Sequence, residues 1–410
     1  MCDRMMAGRN VSVAIIGGGI SGLVCAARLG QLGISNVTVF DTGKNAAGGR
    51  CSSRDVNING KIYTLDHSAQ YFTVSNPAFA KIVSFLIRKG AVQEWKGPIG
   101  HIDRRGTFVR MKESPAYIGT RGMGSIPKCL STIVNVQRPV WVANVWWEES
   151  CKKWKVDKYG YFDYVVIAHN GKCADKLMSQ AGAPGIHALL RVRFSATLNP
   201  KEPKMHLCSL WVLLVAFKQP LKLSFEGAHV DSDVISWVAN NTAKLKLSDS
   251  YNPALPCRNN VECWTIFSTR EFGSRHKVPQ EMIPPKKAEE VTQLMLDAFR
   301  QAIKIPAGCG EPVFTRVQLW GAALPLNTLD IGDDCVFDAT KQVGICGDWL
   351  VSPCIQGAAV SGLALAEKIN KHTSDRSHGT RLDAKFKATQ SAAIGAFPYD
   401  ANNATSLNSI

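Results

Sequence analysis

The sequence predicts a mixed α/β fold containing two kinds of sheet, and three observations carry that prediction. Near the amino terminus, short apolar β-branched runs alternate with a glycine loop and a helical pattern. The middle of the chain holds longer apolar and aromatic runs of strand character. A strand, a turn and a helix then return near residue 345. At 410 residues, with 45% hydrophobic and 20% charged side chains, the composition is that of an ordinary globular chain of two or three domains. It excludes disordered, collagen-like and coiled-coil classes.

The first element is the most informative. Residues 11–16 form an apolar strand pattern, followed by Gly17, Gly18, Gly19, Ile20, Ser21 and Gly22, and then by an apolar helical stretch. A second strand pattern at 36–40 ends in Asp41, about 20 residues beyond the third glycine. Strand, G-x-G-x-x-G, helix, strand and acid together predict a Rossmann-type dinucleotide-binding unit. Gly17 permits the tight turn, Gly19 lets backbone approach a pyrophosphate, and Gly22 lets helix and strand pack closely. Ile20 and Ser21 open the helix, whose free N–H groups and positive dipole end favour phosphate. Asp41 is placed to accept hydrogen bonds from a ribose.

An ordinary nicotinamide-dependent dehydrogenase would now enter its third strand, but here Gly48, Gly49, Arg50, Cys51, Ser52, Ser53 and Arg54 intervene. This run resembles the G-G-R-x-x-[ST] extension of the flavin amine oxidase superfamily. Residues 66–73 are similar to the D-x-G-A-Q-Y-F-T segment of renalase-type FAD proteins, with Ser68 in place of a glycine. Residues 122–128 are similar to their G-M-x-x-I-P-x segment. The closing pattern, Gly347 and Asp348 followed by Gly357, Ala358 and Ser361, is similar to the superfamily's last element. Segments 168–173, 236–241, 262–269 and 318–325 look closest to plant renalase-like FAD/NAD(P)-binding oxidoreductases, and the resemblance runs from about residue 11 to 370.

That resemblance implies noncovalent FAD held by Gly17, Gly19, Ile20, Ser21, Gly22, Asp41, Gly49, Arg50, Gly347, Asp348, Gly357 and Ala358. It also implies Gln70 and Tyr71 on the flavin face, with Trp349 beside them, and Cys354 and Gln356 in the loop facing the flavin. Val145, in a small meander read over 140–147, 151–156 and 162–168, is implied to reach the adenine side. No catalytic residue is assignable beyond the weak candidates Gln70, Tyr71 and Trp320. Trp237 and Trp320 read equally as pocket aromatics or as core residues of a sheet. His169 reads as a structural hydrogen-bonding residue, and the cysteines as small buried hydrophobes.

The expected fold is thus α/β: a discontinuous Rossmann-type FAD-binding domain at 1–60, 115–185 and 325–372, plus an α+β substrate domain with an antiparallel sheet at 61–114 and 186–324. Strands are expected at 207–217, 230–240 and 261–268. A helix is expected at 288–303, burying Val291, Leu294, Met295, Ala298 and Ile303. Residues 373–410 read as disordered.

The net charge is +15, and residues 371–410 hold only five basic and three acidic residues, so the body of the chain is basic. It carries no run of five or more Lys/Arg residues and no zinc-ligand spacing, which argues against nucleic-acid and metal sites. Thirteen scattered cysteines without a C-x-x-C pair fit a reducing compartment. No targeting or membrane segment is visible, so a cytoplasmic location is expected. By resemblance, the expected reaction is hydride transfer from a reduced nicotinamide isomer or related cyclic enamine to the flavin, with O2 as acceptor. The alternatives are a flavin amine oxidase acting on a small amine or alkaloid precursor, and a flavin-binding regulatory protein without turnover.

Overall fold

The computed structural model describes residues 11–111, 115–245, 261–305, 310–375, 379, 382 and 385–389. Its first sheet is built on Val13–Ile16, a fully buried strand that pairs in parallel with Val37–Phe40 on one side and Tyr164–Ile167 on the other. Burial of both faces is why these segments read as continuous apolar runs and not as alternating ones. Asn135–Gln137 and Val343–Ile345 extend the sheet in parallel, and Val336–Asp338 closes one edge in antiparallel sense. The helices Ile20–Gln31 and Ile355–Asp375 cross closely enough that a Cβ on Gly362 would lie 2.3 Å from the Ser21 carbonyl oxygen.

The second sheet has eight strands and centres on Met205–Phe217, in which every residue is buried. It pairs antiparallel with Glu262–Ser268 and with Pro312–Pro325, the latter through two bulges. The sheet is mixed, not purely antiparallel. Val192–Phe194 runs parallel to Met205–Phe217, and Gly227–Val230 runs parallel to Ile99–Ile102.

Several expectations need correction. The single strand expected at 230–240 is two, Gly227–Val230 and Ile235–Asn240, joined by a turn in which the Ser232 hydroxyl accepts the Val234 and Ile235 N–H groups. In the meander, the 140–147 run is strand only over Val145–Glu148, the 151–156 run over Lys153–Val156, and the 162–168 run divides at Asp163. The Asp163 carboxylate accepts both the N–H and the hydroxyl of Ser12, which sends Tyr164–Ile167 into the parallel sheet. Helix Pro285–Ala302 buries Val291, Met295, Leu296, Ala298 and Phe299, while Leu294 is 39% exposed. The buried arc centres on Met295 and Phe299, so Leu294 falls at its edge. Most of 373–410 lies outside the described residues, but Lys385–Ala388 is a strand antiparallel to Asn327–Asp330. Its alternation explains this: Phe386 stacks near Trp349, and Lys387 pairs outward with Asp330.

Between the two sheets lies a buried ion pair, Lys244 Nζ to Asp66 Oδ2 at 2.7 Å, both side chains without exposure. Asp66 Oδ1 accepts the Met123 N–H at 2.7 Å and the Ser53 hydroxyl at 2.5 Å. The ammonium also donates to the Gln70 carbonyl and lies over the Trp95 ring. Removing one partner of such a pair strands a buried charge. Lys244→Met is therefore expected to destabilise the chain by about 3–5 kcal/mol in urea unfolding. Asp66→Asn/Lys244→Met should lose clearly less, and equal losses would show that the charge pairing is not the cause.

Candidate functional site

The glycine loop joins the central strand to its helix under two steric demands. Gly17 has φ +117°, and a Cβ there would lie 2.9 Å from the Ala168 carbonyl oxygen. A Cβ on Gly22 would lie 2.1 Å from the Gly17 carbonyl oxygen, so the helix rests directly on the loop. Gly19 and Gly49 are different. A Cβ on Gly19 would meet nothing within 4 Å, and one on Gly49 only the Gly19 Cα. No protein contact needs Gly19 to be glycine, and Gly49 is favoured by its φ of +53°; both leave bare backbone against a cavity of about 560 Å³. The helix Ile20–Gln31 has no side-chain cap and no acid in its first turn, so its amino end is open to an anion.

Asp41 braces this cradle: Oδ2 accepts the Gly18 N–H at 2.9 Å and Oδ1 the Gly43 N–H at 2.8 Å. Each oxygen keeps a lone pair for a further donor such as a hydroxyl. The Val140 N–H bonds the Asp41 carbonyl and brings 140–142 onto the cavity wall, where Trp141 is 61% exposed. Arg50 spans the cavity. Its guanidinium pairs with Asp348 at 2.6 Å and donates to the Ala323 carbonyl at 3.0 Å. Behind Asp348, the Gly347 N–H is fixed by the Ser361 hydroxyl. Two donors on lining residues, Asn170 Nδ2 and Trp349 Nε1, are buried without a protein partner. Bare glycines, an uncapped helix end, an acceptor carboxylate and unpaired donors fit a dinucleotide.

The cavity gathers Gly17, Gly19, Ile20, Ser21, Asp41, Gly49, Arg50, Gly347, Asp348 and Ala358, together with Trp320, Trp349 and Cys354. Other predicted residues are not on its wall. Gly22 lies beneath the loop, and Gly357 packs on the Ser352 backbone. The Gln70 amide is turned inward to the Asp66 and Ser68 carbonyls. Tyr71 and Trp237 pack against each other in the core, and Val145 pairs with Val156 in the meander. Gln356 points away and bonds Ser75 and Asn76. None of these residues lines the cavity, and Gly22 sits where the close packing read from its place in the motif requires a glycine.

Sequence reasoning missed Trp141, Asn170, Lys172, Phe194 and the 277–281 loop, all on the wall. Their placement depends on pairings between distant segments and leaves no local pattern. The Cys354 thiol is pushed up by burial, which disfavours a thiolate. His169 Nδ1 donates to the Ile16 carbonyl, and burial pushes its pKa down.

His67 carries the wall indirectly. Its carbonyl accepts the Trp320 indole N–H at 2.8 Å, and the two rings stack. Burial, aided by Arg54, lowers its pKa to about 4. The unfolded imidazole gains its proton near 6.5 and the folded one only near 4, so the unfolded state binds more protons in that window. Stability should therefore fall as pH drops from 6.5 towards 4, by up to about 3 kcal/mol from this group. His67→Gln is expected to flatten the melting-temperature profile across that range, and an unchanged slope would assign the acid sensitivity elsewhere.

Comparison with known proteins agrees with this geometry. Residues 15–86 match the NAD(P)-binding Rossmann-like domain. Cyclohexylamine oxidase from Brevibacterium oxydans IH-35A superposes with TM-score 0.60 at 12% identity, covering 89% of this chain and 99% of that one. Reduced UDP-galactopyranose mutase gives 0.62 at 10% identity, covering 90% and 94%. A putrescine oxidase redesigned in its cofactor binding gives 0.56 at 12%, covering 88% and 98%. The chain thus has a mixed α/β fold with a Rossmann-like nucleotide-binding unit at its start, shared over most of its length with two amine oxidases and a mutase.

Proposed function

We propose that the chain is an FAD-dependent oxidoreductase of renalase-like type, oxidising a reduced nicotinamide isomer or a related cyclic enamine. The observation that carries this reading is the convergence of the 17–22 loop, the Gly49–Arg50 turn and the Gly347–Asp348 turn on one cavity. Along it, the amino end of Ile20–Gln31 would meet a pyrophosphate, and Asp41 would accept ribose hydroxyls. Arg50 suits a phosphate oxygen, since a guanidinium forms strong charge-assisted bonds there. Asp348 would then accept hydroxyls at the opposite end. The domain limits read from the sequence, 1–60, 115–185 and 325–372 against 61–114 and 186–324, belong to the same proposal.

When bound, FAD would supply a two-electron sink: the donor carbon gives up a hydride, and O2 takes the two electrons and two protons to leave as H2O2. What the protein must add is orientation and exclusion of water. A dihydropyridine expels hydride with help from its own ring nitrogen, so no protein base is required. The side chains fit that economy. His67 is neutral and buried, the Cys354 thiol is held protonated, and Tyr71, pushed up to about 12 by burial, lies off the cavity.

A second reading, oxidation of a small amine, draws support from the fold shared with putrescine and cyclohexylamine oxidases. Anaerobic mixing separates the two. We expect loss of flavin absorbance with α-NADH or with 2- or 6-dihydro-NAD, and persistence of oxidised flavin with all three rejects the leading substrate class. Reduction by amines alone establishes the second reading.

Arg50→Ala should weaken FAD retention about 10- to 100-fold, through loss of a charge-assisted contact. An unchanged flavin dissociation constant would place Arg50 outside the cofactor contacts.

A further inference from the structure

One end of the cavity carries two lysines that no carboxylate pairs with among the described residues. Lys172 follows Gly171 at the start of helix Lys172–Met178, just beyond the strand Tyr164–Ile167. Lys277 comes from the other half of the molecule, in the loop after helix Arg270–Arg275. The two ammonium groups share one ring: Lys277 Nζ lies 3.8 Å and Lys172 Nζ 5.8 Å from the centroid of Phe194. All three residues line the cavity. Among the described residues neither lysine has an ion pair, and Glu281, the carboxylate on that wall, has none either. The lysines feel each other, since burial and then Lys172 push the Lys277 pKa down. Asp175, on the same helix as Lys172, is engaged by His187.

Two like charges beside one aromatic ring repel, and an anion held between them would offset that repulsion. The loop bearing Lys277 is not free to drift, because the Gln280 side-chain oxygen accepts the Gly321 N–H at 2.9 Å, beside Trp320. The pair therefore stands at a fixed place, on residues separate from the glycine cradle. The cradle already offers an uncapped helix end and Arg50 to the phosphates of one dinucleotide, which leaves Lys172 and Lys277 for a different anion.

We propose that Lys172 and Lys277 form an anion-binding pole of the cavity that grips a phosphate or carboxylate of the substrate, so that the preferred donor is an anionic molecule and not a simple amine. This rests on the oxidoreductase reading for its word "donor", and on the geometry alone for its anion.

The test is equilibrium binding to the full-length chain as purified, with flavin content measured in parallel. Pyrophosphate, oxidised NAD and succinate are titrated calorimetrically. Binding of pyrophosphate and NAD assigns a phosphate pole, and binding of succinate alone a carboxylate pole. Lys172→Gln/Lys277→Gln should weaken the bound anion about 10- to 100-fold, as expected for charge-assisted contacts. Added salt should weaken it in the unaltered chain. Lys277→Arg should keep it. Flavin content and melting temperature should stay unchanged, both lysines being exposed. Failure of the unaltered chain to bind any of the three anions overturns the proposal, as does undiminished binding in the double variant. Loss of flavin from that variant also overturns it, by moving the pair to the cofactor's phosphates. Intact anion binding that the variant abolishes, with no donor reducing the flavin, supports the pole and rejects the oxidoreductase reading alone.

Discussion

The Asp66 carboxylate is the constraint from which the cavity wall descends. A buried carboxylate is tolerable only when cations and donors surround it, and here they come from separate parts of the chain: Ser53, Met123 and Lys244. Its own backbone is equally committed, with N–H to Asn241 and carbonyl to Thr265 and Gln70. The next residues therefore have little freedom. His67 receives Trp320, while the Ser68 hydroxyl and the Ala69 N–H both bond the Arg50 carbonyl. The knot thus fixes the backbone of Arg50, whose side chain then closes on Asp348. A charge buried between two sheets sets the position of a charge displayed in the cavity.

Polarity along the cavity follows from the same economy. Where the chain supplies its own counter-charge, as Asp348 does for Arg50, the site is stable before any ligand arrives, and a ligand phosphate must compete with or join that pair. Where it supplies none, as at Lys172 and Lys277, the site waits for an anion from outside. Exposure decides which arrangement is tolerable. Asp348 is 7% exposed and needs its partner, whereas the two lysine residues are exposed.

How much of this could be read from the sequence depended on how local the determinant was. The glycine loop was legible because its demands lie within six residues: a positive φ at Gly17, contact at Gly22, and open space at Gly19. The Gly347–Asp348 turn was legible for the same reason, and its meeting with Arg50 follows from the order of the parallel strands. The facing of single side chains was not. Gln70 lies one residue beyond Ala69, which does reach the cavity, yet its amide folds inward to backbone acceptors in the Asp66 knot. Val145 was misplaced because the chain touches the cavity at 140–142, before the strand begins. Lys277 could not have been found at all, since nothing near it in the sequence points to Phe194 or Lys172.

The chemistry most compatible with this wall is one that asks little of it. An amine oxidised as its free base must first shed a proton, and a cationic amine would approach a cavity end bearing two ammonium groups and one carboxylate. A reduced nicotinamide nucleotide meets neither obstacle: its ring nitrogen already carries the electron pair that expels hydride, and its phosphates are attracted where an ammonium is repelled. The fold shared with amine oxidases does not weigh against this, because one α/β frame serves many chemistries and the donor is chosen by side chains lining the site. Here those side chains are two lysines, a glutamate and an aromatic ring on one side of the cavity, with a neutral histidine behind its wall.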